Sequence, residues 1–304
     1  MRKLFFALIT ISFTCLFSCS DGDIIDVELD FDGDFSAKPC STSDLVFYKT
    51  KSDPSESLSV VIKSLTLDQI LSFKGADTLI TKSNSTFNYR TYSNDKITGN
   101  DLFCNDIPPS DIIITNDYES SCKAEIMATL TEDDNDGIPA ALEDENLDGD
   151  DDPSTNPTDT DNDGLPNYLD ADDDGDNVLT KDEDLDKDGD FTNDDTDGDL
   201  IPNYLDDDDD GDNVKTRDEE NDSQDQNPTN DITNSDVGPD YLNKDVLTSV
   251  AATAYRVHTI SQTYAVTLNL TGIDIAILSQ DELPFGELSN SKTTDTRTET
   301  PDFN

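Results

Sequence analysis

Aspartates recur at every second position through the middle of this chain, and glycine punctuates them. Seven loops of the general form D-x-[DN]-x-[DN]-G can be drawn between Glu132 and Glu219. The first takes Glu132, Asp134, Asp136, Gly137 and Glu143, and the second Asp144, Asn146, Asp148, Gly149 and Asp152. The third takes Asp159, Asp161, Asp163, Gly164 and Asp170. Asp170 also opens the fourth, with Asp172, Asp174, Gly175, Asp176 and Glu183, the last replacing Lys181 at the twelfth position. Asp184, Asp186, Asp188 and Gly189 follow, then Asp195, Asp197, Asp199 and Asp206. The last loop runs from Asp206 through Asp208, Asp210, Gly211 and Asp212 to Glu219. Alternate carboxylates can wrap oxygens around a hard cation, and glycine permits the sharp turn between them. Calcium takes six to eight oxygens, so this spacing predicts calcium as the cofactor, up to about seven ions. Within runs such as Asp206–Asp210, neighbouring carboxylates could exchange roles.

The register repeats. Asp159–Asp170 and Asp195–Asp206 are near-copies offset by 36 residues (195 − 159). Leu165, Pro166, Tyr168, Leu169 and Val178 return as Ile201, Pro202, Tyr204, Leu205 and Val214. A third copy, 229–243, keeps Pro239, Tyr241 and Leu242 but carries Asn234 and Ser235 where Asp197 and Gly198 stood, and it reads as a structural cap. Leu200 occupies the place of Gly164, and a non-glycine residue in a left-handed turn costs about 1–2 kcal/mol. Apolar anchors this sparse cannot offset backbone ordering at about 1–2 kcal/mol per residue, so metal must supply much of the remainder. The segment is expected to be disordered without calcium and compact with it. An acidic solvated linker is the alternative reading of such a charge run, but it gives no reason for the register.

The tandem units resemble thrombospondin type 3 repeats in their bacterial form over residues 132–243, within a calcium-binding repeat region expected at 132–245. That resemblance implies loops wound about a string of calcium ions with little regular secondary structure. No amphipathic helix flanks any loop, which separates the pattern from helix–loop–helix calcium sites.

These loops must be held by something, and the apolar residues lie on either side. Asp44–Lys49, Leu58–Lys63, Ser85–Arg90 and Lys123–Leu130 alternate or carry β-branched and aromatic residues. Tyr255–Ile260 and Tyr264–Leu270 do the same, with Ser261, Gln262 and Thr263 between them reading as a hairpin turn. The expected fold is mainly β: an antiparallel β-sandwich whose first part is 24–131 and second part 246–283, interrupted by the repeats. Residues 284–304 read as a disordered tail.

The formal charge of −51 disfavours nucleic acid and anionic membrane surfaces as partners. Residues 1–18 read as a signal peptide. Its end, Leu16-Phe17-Ser18-Cys19, resembles a bacterial lipobox, which implies lipidation of Cys19 and an outer-membrane anchor. The acidic stretch 19–23 resembles the tether of surface-exported lipoproteins. Cys104 and Cys122 are the expected disulfide, since they close the shorter loop. The lone histidine, His258, reads as structural, and no CxxC supports zinc.

No Ser/His/Asp order, Cys–His pair, HExxH or phosphate loop is present, so a non-enzymatic role is expected. The leading expectation is calcium binding by a cell-surface lipoprotein, its repeats a rigidified spacer or adhesion module toward an extracellular protein or polysaccharide. A calcium-dependent hydrolase acting on glycans and a calcium buffer are the competing classes.

Overall fold

A computed structural model describes residues 29–73, 77–105, 109–143, 149, 152–221, 224–290 and 292–303. The expected leader, lipidated Cys19 and tether lie outside the described residues, as do Asp144, Asn146 and Asp148.

The described residues form eight strands. They are β1 (Ser36–Pro39), β2 (Leu45–Ser52), β3 (Ser55–Ile62), β4 (Thr78–Tyr92) and β5 (Ile114–Asp133), then β6 (His258–Ile275), β7 (Leu278–Glu287) and β8 (Thr294–Glu299). Alternating burial is clearest along β5 and β6. Each of β1 to β6 pairs antiparallel with the next, and β8 pairs with β6. β6 is long enough to serve two neighbours on one side. Its first residues, His258–Thr263, pair with β8, and Thr267–Ile275 pair with β7.

The sheet curls until its edges meet. Phe35 N–H donates to Glu287 O (2.8 Å), and Ser289 N–H donates to Phe35 O (2.8 Å). A strongly twisted sheet encloses its own core, and here Phe35, Phe47, Phe87, Ile126, Leu270 and Phe285 fill one continuous interior. The expected two-sheet sandwich is therefore corrected to a single curled antiparallel sheet. The short helix α1 (Leu67–Ile70) adds Leu67 and Ile70 to that core, and its Thr66–Gln69 capping box satisfies the first turn. A second short helix, α2 (Gly99–Leu102), lies between β4 and β5.

Two sequence expectations change in the flanks. Ser261, Gln262 and Thr263 continue β6, because the inward position between two outward polar residues is taken by Gln262, which donates to Glu132. The tail expected to be disordered contains β8, whose polar residues pair through backbone rather than by burial.

The cysteines also pair differently. Cys40 and Cys104 form the disulfide, with Cα atoms 4.8 Å apart, and Cys122 is a free thiol. Cys122 sits on an inward position of β5 beside Ala124 and Ile126, inside the core and away from both partners. Loop length favours Cys104–Cys122, but the alternation of β5 decides against it.

The acidic segment occupies 134–257, between β5 and β6, which pair directly from Lys123 to Asp133. Its described residues contain no strand and are punctuated by three-residue 3-10 turns.

Candidate metal centres

The described loops of the insert fold by one recurring device. The first oxygen of an aspartate accepts from the backbone N–H two residues on, forming a tight side-chain turn. Asp134 accepts from Asp136 (3.1 Å), Asp136 from Ile138 (2.8 Å), Asp174 from Asp176 (3.2 Å) and Asp176 from Val178 (2.7 Å). Asp210 and Asp212 repeat the pattern with Asp212 and Val214. The second oxygen of all six is buried without a protein hydrogen-bond partner. One oxygen shapes the loop, and the other faces the interior.

Each of these pairs is followed seven residues later by a glutamate, giving Asp134, Asp136 and Glu143; Asp174, Asp176 and Glu183; Asp210, Asp212 and Glu219. A 3-10 turn ends at each glutamate: Ala140–Leu142, Thr180–Asp182 and Thr216–Asp218. Both oxygens of all three glutamates are buried without a protein partner.

A further aspartate joins from the next unit. Ligand atoms of Asp134, Asp136, Glu143 and Asp173 lie within 4.8 Å of one another, and so do those of Asp176, Glu183 and Asp209. Asp173 N–H donates to Thr180 Oγ1 (3.2 Å), and Asp209 N–H donates to Thr216 Oγ1 (3.3 Å), which fixes these carboxylates one repeat apart. Alternate-position counting through Asp172–Asp174 and Asp208–Asp210 selects the outer two and misses Asp173 and Asp209. Their recurrence 36 residues apart (209 − 173) is the signal that could have found them.

Three simple triads are gathered as well: Asp159, Asp161 and Asp163; Asp172, Asp174 and Asp176; Asp184, Asp186 and Asp188. The first and third lie at half-buried or exposed positions, the second wholly inside. Asp197 and Asp199 make the same turns with the Asp199 and Ile201 N–H groups, while Asp195 accepts from Gly198 and Leu200 N–H. Gly175 and Gly211, each at φ +69°, pack so closely on the Asp161 and Asp197 carboxylates that a Cβ there would collide with them.

Within loops, side-chain clamps hold the two halves together. Asn167 accepts from Thr160 N–H (3.0 Å) and donates to Thr160 Oγ1 (2.9 Å); Asn203 and Thr196 repeat this. In the third copy Asp240 takes the clamp's place, accepting from Thr233 N–H and Oγ1, so the clamp survives there without the aspartate pairs.

The electrostatics follow from burial without countercharge. Desolvation first, and then Asp134 and Asp136, push Glu143 up to about 9. Burial and Asp136 push Asp134 up to about 9, while Asp136 rises to about 6. Glu219 rises to about 9 through burial and then Asp210 and Asp212. Asp173, Asp174, Asp176, Glu183 and Asp209 are all held well above the usual carboxylate range, chiefly by desolvation. Buried carboxylates with free oxygens and close like-charged neighbours fit a multivalent cation: its charge and coordination would offset both penalties.

Not every expected ligand joins a cluster. Glu132 belongs to β5, where Arg297 Nε (2.8 Å) and Gln262 Nε2 (2.8 Å) hold it, so its negative charge is already paired and it is corrected to a structural anchor. Asp170 lies 2.6 Å from His258 Nδ1, which also accepts from Ala171 N–H (3.2 Å). Ile260 of β6 packs against Leu165 and Leu169, so this part of the insert rests on the first turns of β6. Asp152 accepts from Ser154 N–H and Oγ in a turn of its own. Asp206 accepts from Asp208 N–H, and Asp208 from Asn213 N–H.

A family model described as BamM C-terminal matches residues 133–193, about a fifth of the 304 residues. No curated protein and no solved structure matches the chain. The match replaces the thrombospondin type 3 resemblance, and with it the assignment of calcium binding on family grounds; acidic composition alone does not carry that assignment.

Proposed function

We propose that this protein binds several calcium ions in its central insert, and that these ions hold the insert folded against the curled sheet. One observation carries the reading: buried carboxylate oxygens of Asp134, Asp136, Glu143, Asp173, Asp174, Asp176, Glu183 and Asp209 have no protein partner. Folding them into a dry interior without a cation would leave unpaired charge, at a cost of several kcal/mol per ion.

Calcium suits these centres better than magnesium. It accepts six to eight oxygens in irregular arrangements, including bidentate glutamate, whereas magnesium keeps its waters and demands an octahedron. Outside cells, calcium is abundant enough that sites of about 10⁻⁴–10⁻³ M would be filled. A cation-stiffened module is what a spacer or adhesive role requires, and lipid anchoring through Cys19 with exposure at the cell surface belongs to the same proposal. Isothermal calorimetry on the chain from Cys19 onward tests it. Calcium should bind with a stoichiometry of several ions and magnesium more weakly; equal affinity for both would overturn the choice of metal.

A further inference from the structure

We propose that Asp134, Asp136, Glu143 and Asp173 form a calcium centre at the root of the insert that latches it to the sheet. This rests on the calcium reading above and assigns one site a specific task. The four residues are 7%, 2%, 7% and 2% exposed. Both oxygens of Glu143 and Asp173, and Oδ2 of Asp134 and Asp136, lack protein partners, and one ligand atom from each lies within 4.8 Å of the others. Among the described residues, no Lys, Arg or His forms an ion pair with any of the four.

The position gives the centre its role. Asp134 follows directly on Asp133, the end of β5, whose Cα partner is Ser261 of β6. Asp173 stands two residues after Ala171, whose N–H donates to His258, the first residue of β6. A single cation on these carboxylates therefore joins the chain leaving β5 to the unit seated on β6. The next residue, Asp174, opens the following Asp–x–Asp–x6–Glu set, so fixing Asp173 also places the first ligand of the centre beyond it. Asp209 and Asp210 repeat that adjacency.

Calcium stoichiometry and amide hydrogen exchange, measured on the chain from Cys19 onward and on Asp173→Asn and Glu143→Gln, test the latch. In the parent chain calcium should slow exchange at Ala171 and His258–Ile260 at least tenfold. Each variant should bind one ion fewer and lose that protection, with β2 and β3 unchanged. Asp186→Asn, in an exposed triad, should leave the root protected. If the parent binds calcium but both variants keep its stoichiometry or its root protection, the latch is wrong and the calcium reading stands. If the parent binds no calcium, both fall. Should Asp173→Asn also lose protection in β2 and β3, Glu143→Gln, which alters the same centre from the other segment, decides by the same criteria.

Discussion

Replacing Leu200 with glycine should let the insert order at lower calcium. Leu200 lies at φ +84° and is 89% exposed, so its side chain recovers almost nothing from packing. Its counterpart one repeat earlier is Gly164, at φ +98°. A left-handed conformation costs an L-residue about 1–2 kcal/mol, while the added flexibility of glycine in the unfolded chain costs about 0.4–1 kcal/mol. The net gain is about 0.5–1 kcal/mol, roughly a two- to fivefold shift in the folding equilibrium, and because several ions bind in the transition the calcium midpoint falls by less than that factor. Near-ultraviolet circular dichroism during a calcium titration measures that midpoint, since Tyr168, Tyr204 and Tyr241 lie in the insert. Gly164→Leu should move it the other way. A Leu200→Gly midpoint equal to or above the parent's would refute the strain attributed to this turn.

Ile260→Ala should cost about 2–4 kcal/mol through the void left against Leu165 and Leu169, read as faster amide exchange at His258–Thr263 with β2 and β3 unaffected. Arg297→Ala leaves Glu132 without its charge partner and should cost about 1–3 kcal/mol in chemical denaturation. Without calcium, the raised folded-state values of Glu143 and Asp134, about 9, mean that the folded insert holds more protons than the unfolded chain. Its stability is then fully present below the ordinary carboxylate range near 4 and is lost as pH rises toward about 9, so a chelated sample should gain insert structure on acidification. Calcium competes with those protons, so its affinity should fall as pH is lowered. Cys122, buried and with its thiol pushed up to about 11, should resist alkylation in the native protein and react after denaturation.

Much of the site is legible in the sequence because its construction is local. The turn made by Asp134 or Asp174 needs only the residue two positions on, so the register of aspartates shows directly. The third side chain of each set, Glu143, Glu183 or Glu219, follows at a fixed distance through a 3-10 turn and shows equally well. What escapes is whatever depends on folding at long range. Asp173 and Asp209 become part of a centre only when one unit packs on another. Glu132 matches the loop pattern, yet β5 carries it to Arg297, 165 residues away. The sheet divides in the same way: Asp44–Lys49 and Lys123–Leu130 declare themselves by their β-branched, aromatic or alternating residues, while closure through Phe35 and Leu288 has no local signature. The polar run of β8 reads as disordered because its partner, the start of β6, lies beyond a loop, β7 and the rest of β6.

Small-angle scattering of the chain from Cys19 onward, in millimolar calcium and after chelation at neutral pH, tests most directly whether cations hold the insert folded. The radius of gyration should rise substantially on chelation and return when calcium is restored. Identical scattering in both conditions would contradict the account.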